Sequence, residues 1–220
     1  MEKEYISHIG GHITLFFTVE KEGRLLRNQG SRGVGLNIQH GVNVTLAIKQ
    51  KNANINDTTI SVTDLKGDQM INSDIFYRDL IDDLVHAKLL DDNTSFDIAV
   101  SLELPTSQGF GMSAAGLIAV ALAFREYTKR GNVDQYYRIC HRIERQNGSG
   151  LGDVLGIYAG GVEIRLQPGA PGASGTSLGF KCKQPIILVW QPKESRHTSK
   201  YINDENWQTK ITKAGHKALN

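Results

Sequence analysis

The spacing of apolar residues predicts strands in the first hundred residues, with one helix between them. Residues 13–19, 42–48 and 96–104 are rich in β-branched and aliphatic side chains and are bounded by Gly, Asn and Asp, as strands commonly are. In residues 73–90 the apolar side chains recur at a helical period instead. We therefore expect this part of the chain to form strands and turns together with an amphipathic helix.

Two further helices are predicted in the middle of the chain. Residues 112–130 are almost uniformly apolar between 114 and 124, which indicates a helix buried on most sides that stops at Gly131. Residues 133–146 form the second helix, because Asn132 and Gln135 have the spacing of a capping pair and Asn147-Gly148 is a natural terminator.

The last third of the chain is predicted to contain a strand, a loop or linker, and a short C-terminal part. Residues 158–166 read as a strand, and the glycine- and proline-rich residues 167–179 read as a loop or an interdomain linker. Beyond them, residues 185–190 are typical of a buried strand, and a helix starts at Asp204 or Asn206 and runs to Leu219. A single strand and helix make a poor domain, so we expect this C-terminal part to be incomplete or to depend on a partner.

Composition narrows the class of protein. Hydrophobic residues make up 40% and charged residues 22% of the 220 residues, and 25 Lys and Arg nearly balance 23 Asp and Glu. This balance predicts neither a nucleic-acid nor a membrane partner. The start of the chain is no signal peptide, and Cys140 and Cys182 are too far apart in sequence to form a CxxC motif. We expect a soluble protein of the reducing cytoplasm.

The stretch from Pro105 to Gly116 is the first candidate for chemistry. It places Gly109, Gly111 and Ser113 where a loop turns into an apolar helix. Glycines let the backbone approach a bulky anion, and the unpaired N–H groups of a first helical turn point at it. A phosphate cradle is one interpretation, and close packing of two elements is the other.

The predicted helix of residues 133–146 carries the second candidate. On a helical wheel Glu144 and His141 fall at the border of the apolar face, while Arg138, Arg142 and Arg145 cluster on the opposite side, where water is expected. A carboxylate at that border either binds a cation or is satisfied by a partner from another element. The helix alone favours neither interpretation.

Two more charged residues follow. Asp153 lies in a glycine-dense turn, where it either sits near a ligand or bonds its own backbone. In the next strand Val162, Ile164 and Leu166 alternate with Glu163 and Arg165, so the two charges share the opposite face. Arg165 either binds the carboxylate of a substrate through two of its N–H groups or is an ordinary exposed strand residue.

In this order the motifs resemble those of the GHMP kinase superfamily. Its phosphate motif, Pro-x-x-x-Gly-Leu-Gly-Ser-Ser-Ala, is similar to the segment of residues 105–114, with Phe110 and Met112 in place of Leu and the first Ser. A glutamate near the end of the following helix and a glycine-flanked aspartate match Glu144 and Asp153. Within the superfamily the chain resembles the archaeal pantoate kinase family most. The supporting segments are residues 12–17, 30–35, 141–144, 150–154 and 168–172.

The resemblance implies a fold and a division of the chain. The fold is α+β, a GHMP kinase N-terminal domain (ribosomal protein S5 domain 2-like) followed by a short, incomplete ferredoxin-like part. The implied boundaries are residues 1–167 for the first domain, 168–180 for the linker and 181–220 for the start of the second domain. Two features depart from the family pattern: Gly10-Gly11-His12 replaces its Pro-Ala-His or Pro-Gly-Lys, and its third, C-terminal glycine-rich motif is absent.

The resemblance also implies a reaction, the phosphorylation of pantoate by ATP with Mg²⁺, which makes 4-phosphopantoate for coenzyme A. Asp153 would be the catalytic base, and Ser113 and Glu144 would hold Mg²⁺. The ATP phosphates would bind Gly109, Phe110, Gly111, Met112, Ser113 and Ala114. Pantoate would bind Ser31, His141 and Arg165, with Arg165 on its carboxylate.

Two rival functions remain open, and so does the oligomeric state. A GHMP kinase for mevalonate, homoserine or shikimate would share the same loop, glutamate and aspartate. A silent nucleotide- or metabolite-binding relative would use the fold without transfer. Apolar residues 186–189 and Trp207 need cover in so short a second domain, which makes a homodimer plausible.

Overall fold

The computed structural model describes residues 3–22, 25–191 and 198–219. Within them the strands are β1 (Glu4–Phe17), β2 (Gly33–Lys51), β3 (Thr59–Thr63), β4 (Thr94–Leu102), β5 (Val162–Gln167) and β6 (Thr176–Phe180). The helices are α1 (Ile75–His86), α2 (Met112–Thr128), α3 (Val133–Gln146), α4 (Asp153–Ala159), α5 (Thr198–Ile202) and α6 (Glu205–Leu219). The expected α+β fold is confirmed.

The long strand β2 organises the sheet. One of its edges pairs with β1 along most of its length, while the other edge pairs with β5 at residues 33–36 and with β4 at residues 42–51. All of these pairs are antiparallel, and β3 then joins β4 in parallel. Where β5 and β4 separate, the Asn37 side chain donates to the carbonyls of Gly156 and Gly161, each of which also accepts a backbone N–H, so Asn37 ties β2 to both ends of the α4–β5 connection.

Helix α2 is the centre of the core, as its apolar sequence predicts. It packs on β1 and β2 and against α3, and its residues 114–121 are all buried. The helix ends at Thr128, two residues before its predicted end, and Lys129 takes the left-handed conformation that closes it. Helix α3 has its predicted bounds, and Asn132 and Gln135 form the predicted capping box.

Strand β5 buries its charged residues and exposes an apolar one, the opposite of the usual arrangement in a half-buried strand. Glu163 and Arg165 have no solvent-exposed surface, whereas Leu166 on the opposite face is 45% exposed. The exposed-residue interpretation of Arg165 is therefore wrong. Residues that alternate along a strand take opposite faces, but the sequence does not say which face meets the core.

Three predicted elements near the C-terminal end need correction. Tyr158 and Ala159 belong to α4, so the strand predicted at 158–166 starts at Val162. The glycine-rich segment read as a loop contains β6, which pairs with β5 through backbone bonds that need no apolar side chains. Residues 185–190 form no strand, because they have no neighbouring strand to pair with in the described chain. The division of the chain at 168–180 stays a prediction.

Helix α6 covers the end of β1. The amide of Val19 donates to the Thr212 hydroxyl, and Gly215 lies so close to the Phe17 carbonyl that a Cβ there would approach its oxygen to 2.2 Å. Trp190, from the irregular segment before α5, meets the Phe110 ring edge-on with centroids 6.0 Å apart. None of the described helices is long and apolar enough to cross a membrane.

Candidate active site

The glycine loop ends in the helix N-terminus that the sequence predicts. Gly111 is the residue that caps α2, with φ at 65°, and Met112 starts the helix. This left-handed conformation strains any residue with a side chain, and a Cβ on Gly111 would also lie 3.1 Å from the His12 carbonyl oxygen. The first turn of α2 leaves its N–H groups without helical partners. The loop can therefore present backbone donors to an anion.

A cavity of about 580 Å³ lies against this loop. Its walls come from four parts of the fold: the glycine loop, the end of β1 with the segments around Ser31 and Asp153, an apolar group, and helices α5 and α6. The apolar group comprises Val62, Met70, Phe76, Tyr77 and Leu102. The glycine loop, the Asp153 carboxylate and an apolar wall thus share one space.

Glu144 lies beside the first turn of α2. Its Oε1 accepts hydrogen bonds from the Ser113 hydroxyl at 2.7 Å and the Ser149 hydroxyl at 2.9 Å, while its buried Oε2 has no partner among the described residues. Burial, and next the negative charge of Asp153, raises the pKa of Glu144 to about 7. A buried carboxylate with a free oxygen has the character of a cation ligand.

The predicted exposure of the arginines on α3 is only partly met. Arg145 is buried, and its Nη1 donates to the Gly150 carbonyl at 2.8 Å, which ties α3 to the glycine-dense turn before α4. Arg142 is 44% exposed and pairs with Asp83. Arg145 departs from the prediction because the turn folds back over the end of α3.

Asp153 is the carboxylate that faces the cavity. It is the first residue of α4, its side chain is 22% exposed, and its Oδ1 accepts from His12 Nδ1 at 2.8 Å. Burial alone would raise the pKa of Asp153, but the hydrogen bond and charge of His12 and the charge of Arg165 hold it below its ordinary value. Asp153 is therefore anionic at neutral pH.

Arg165 and Ser31 lie together next to Asp153. Gly152 packs directly against both side chains: a Cβ at this position would lie 2.2 Å from Ser31 Oγ and 2.8 Å from Arg165 Nε. Ser31 and Gly152 line the cavity, whereas Arg165 lies just behind them. Its Nε and Nη2 are buried without a hydrogen-bond partner among the described residues. Because its charge is paired with Glu163 through Nη1, Arg165 contributes these two remaining N–H donors to this wall rather than a net charge.

His141 is placed differently from the other predicted site residues. It does not line the cavity, and its Nε2 lies 3.0 Å from the carbonyl of Gln29, two residues before Ser31. Burial lowers the pKa of His141 to about 4, so the ring is neutral. The direct contact with substrate stays a prediction, and the observed contact supports the segment that carries Ser31.

The sequence is similar to proteins of known class. A sequence model of the family described as GHMP kinases N terminal domain matches residues 77–161. A pantoate kinase from Methanocaldococcus jannaschii is 31% identical over 210 residues, which are 96% of this chain and 70% of that protein. The chain belongs to the GHMP kinase family. A pantoate kinase from Thermococcus kodakarensis is 26% identical over 217 residues, which cover 96% of this chain and 67% of that protein.

Solved structures agree with this family. One described as a phosphotransferase related to the CoA biosynthesis pathway has a TM-score of 0.73 and 26% identity, and the match covers 99% of this chain and 68% of the other. A mevalonate kinase has a TM-score of 0.58 at 15% identity, covering 98% of this chain and 73% of the other, which shows the shared fold alone.

The residue of this GHMP kinase site that sequence reasoning missed is His12. Its ring is fully buried between Asp153 and Glu163, in a slot that Gly35 and Gly156 leave open: a Cβ on either glycine would approach the ring nitrogen to within 2.4 Å. The available signal was the sequence Gly10-Gly11-His12, where the family pattern has another triplet. The partners come from α4 and β5, so no local pattern reveals them.

Proposed function

We propose that this chain transfers the γ-phosphoryl group of ATP to the 4-hydroxyl of pantoate. The bond from phosphorus to the β-phosphate oxygen breaks, the bond to the substrate oxygen forms, ADP leaves, and the hydroxyl loses its proton. The observation that carries this proposal is Asp153, a carboxylate held at 2.8 Å by buried His12 on the wall of the cavity that also contains the glycine loop. Similarity to pantoate kinases supports the choice of substrate.

The glycine loop is proposed to hold the ATP phosphates. The segment comprises Gly109, Phe110, Gly111, Met112, Ser113 and Ala114, and the first five of these line the cavity. Backbone N–H groups and the positive end of the α2 dipole stabilise phosphate charge without any side-chain rearrangement. Because phosphoryl transfer needs mainly positioning and charge neutralisation, such a cradle supplies much of what the reaction requires.

Ser113 and Glu144 are proposed to hold Mg²⁺. The ion prefers oxygen ligands and commonly uses one or two carboxylates together with water and substrate phosphates, and the free, buried Oε2 of Glu144 fits that chemistry. Bound there, Mg²⁺ would neutralise charge on the transferring phosphate. It would also remove the cost of ionising Glu144, whose pKa is raised to about 7.

Asp153 is proposed to orient the substrate hydroxyl and accept its proton. A carboxylate with a lowered pKa is a weak base, so orientation is its larger contribution before transfer. As the oxygen bonds to phosphorus, its proton becomes acidic and can pass to Asp153. His12, on the far side of Asp153, keeps the carboxylate in a single orientation.

The carboxylate of the acid is proposed to bind at Ser31 and Arg165, with His141 predicted to assist. Nε and Nη2 of Arg165, which have no partner in the part of the chain that the structure describes, are the donors that such an anion needs. The product, 4-phosphopantoate, would serve coenzyme A synthesis in the cytoplasm of an archaeon. Pantoate and ATP are the proposed ligands, and a homodimer is proposed for the whole protein, with light scattering as its test.

The test is ADP release from ATP and Mg²⁺, with pantoate, mevalonate, homoserine and shikimate offered separately. We expect turnover with pantoate alone. Turnover with a different acid would keep the kinase mechanism and reject the substrate. Measurable ATP binding without ADP release in the presence of any of the four acids would reject the transfer reaction for this chain.

A further inference from the structure

Glu163 and Arg165 form a fully buried ion pair at the centre of the fold. Both side chains have no solvent exposure, and Arg165 Nη1 donates to Glu163 Oε1 at 2.7 Å. Removing two charges from water costs free energy that their mutual attraction does not reliably return. A pair in this position, next to a cavity, therefore calls for a role beyond stability.

The Glu163 carboxylate also contacts His12. Oε1 lies 3.0 Å from His12 Nε2, and the other ring nitrogen lies 2.8 Å from Asp153. Carboxylates only accept hydrogen bonds, so a ring that donates to one on each side carries both protons and is an imidazolium. One oxygen of Glu163 thus holds the residue behind the catalytic carboxylate and the residue behind Ser31.

We infer that Glu163 is a positioning residue for the proposed phosphoryl transfer: it holds His12 protonated against Asp153 and holds Arg165 against Ser31 and Gly152. The inference rests on the proposed function for the identity of the acid. Glu163 itself is buried and does not line the cavity. It acts through its two partners, one at each end of the substrate.

The charges around His12 balance only when the ring is protonated. Asp153 from α4 and Glu163 from β5 are negative, and Arg165 from β5 is positive. Gly35 of β2 and Gly156 of α4 also pack on the ring, and neither brings a charge to it. Burial works to lower the pKa of His12, but hydrogen bonds to the two carboxylates raise it above 6.5.

Replacing Glu163 by glutamine tests this role because the amide keeps the shape and one acceptor oxygen but loses the charge. In folded Glu163→Gln we expect the His12 titration to move to lower pH. We also expect kcat with pantoate to fall on the order of tenfold, relative to wild type, between pH 6 and pH 8. The KM for pantoate should rise severalfold, since Arg165 loses its anchor.

The titration is followed by NMR of the full chain with labelled histidines, and His12→Asn identifies the His12 signal. Glu103→Gln is the matched control: it removes a carboxylate from another histidine, His8, at 3.3 Å and outside the cavity lining. It should leave the His12 titration, kcat and KM unchanged. Glu163→Asp restores the charge and should return the His12 titration toward that of wild type.

An unshifted His12 titration and an unshifted pH profile in folded Glu163→Gln would overturn the inference. If that variant does not fold, the wild type still decides, because a His12 that titrates at or below pH 6.5 is incompatible with a shared imidazolium. Failure of the proposed function is separate: it shows as absent turnover by the wild type, whereas the NMR titration needs no substrate.

Discussion

The glycine loop and the ionic cluster adjoin the same cavity, but the loop acts through its backbone and the cluster through its side chains. The cluster consists of His12, Asp153, Glu163 and Arg165. The loop offers backbone N–H groups at the start of a buried helix, and its residues are consecutive in sequence. The cluster consists of charged side chains from β1, α4 and β5 that meet only in the folded chain.

This difference has a physical consequence. Backbone donors have no charge to lose, so the loop should tolerate changes of pH and, apart from Ser113, changes of its side chains, provided its glycine conformation is kept. The cluster depends on two carboxylates and two cations balancing in a low-dielectric interior, so removing one charge disturbs the others. Substitutions in the cluster should therefore damage catalysis more than substitutions in the loop.

The largest effect is expected for Asp153→Asn. Asparagine cannot accept the substrate proton or balance the His12 charge, so kcat should fall by about 10²–10⁴-fold while ATP still binds. The measurements are steady-state kinetics with pantoate and calorimetric ATP binding. Asp134→Asn is the control: it is a similar change in the first turn of α3, where the carboxylate accepts from Tyr158 and lies outside the cavity lining. Equal kcat values for wild type and Asp153→Asn would remove the base assignment.

Arg165→Ala tests the acid-binding end of the cluster. Loss of a charge-assisted contact to the substrate carboxylate should raise the KM for pantoate roughly 10- to 100-fold, with a smaller change in kcat. Circular dichroism first establishes that the variant folds, because Glu163 loses its partner. A folded variant with an unchanged KM would show that the carboxylate binds elsewhere.

Glu144 connects the two regions, since it bonds Ser113 of the loop helix and is repelled by Asp153. Its raised pKa means that the folded state holds the proton more tightly than the unfolded chain. Without Mg²⁺, stability should therefore fall as pH rises from 4.5 to about 7. Glu144→Gln removes this loss and should stabilise the metal-free protein at pH 8 by on the order of 2 kcal/mol.

Thermal unfolding at pH 5 and pH 8 measures this effect, and loss of Mg²⁺-dependent ATP binding should accompany it. Glu126→Gln, on the exposed side of α2, is the control and should show neither change. If the unfolding temperature of Glu144→Gln matches that of wild type at pH 8, Glu144 is not the buried acid that the structure indicates.

Gly111→Ala, in the glycine loop, should give the smallest effect of these substitutions. A left-handed alanine costs about 1–2 kcal/mol, so the Kd for ATP should rise roughly tenfold. Gly67→Ala is a matched control, because Gly67 also has a positive φ, 86°, but has open space around it. An ATP affinity that both variants leave unchanged would remove the loop from phosphate binding.

Prediction from sequence succeeded where the signal was local. The helical period, the capping box at Asn132 and Gln135, and the glycine loop before α2 all depend on residues within a few positions of each other. It failed at 185–190, where strand formation needs a neighbouring strand. It also missed β6, whose backbone pairing with β5 leaves little trace in side-chain pattern.

Helices α1, α2, α3 and α6, the glycine loop before α2 and the family resemblance follow from the sequence alone, because short-range backbone preferences and contiguous motifs carry them. The folded structure is needed to see that Arg165 is buried, that His12 bonds Asp153, and that Glu163 links His12 to Arg165. These residues are brought together by the pairing of β2 with β1 and β5. The ionisation of a charged group depends on which other charges lie within a few ångströms, and that information exists only after folding.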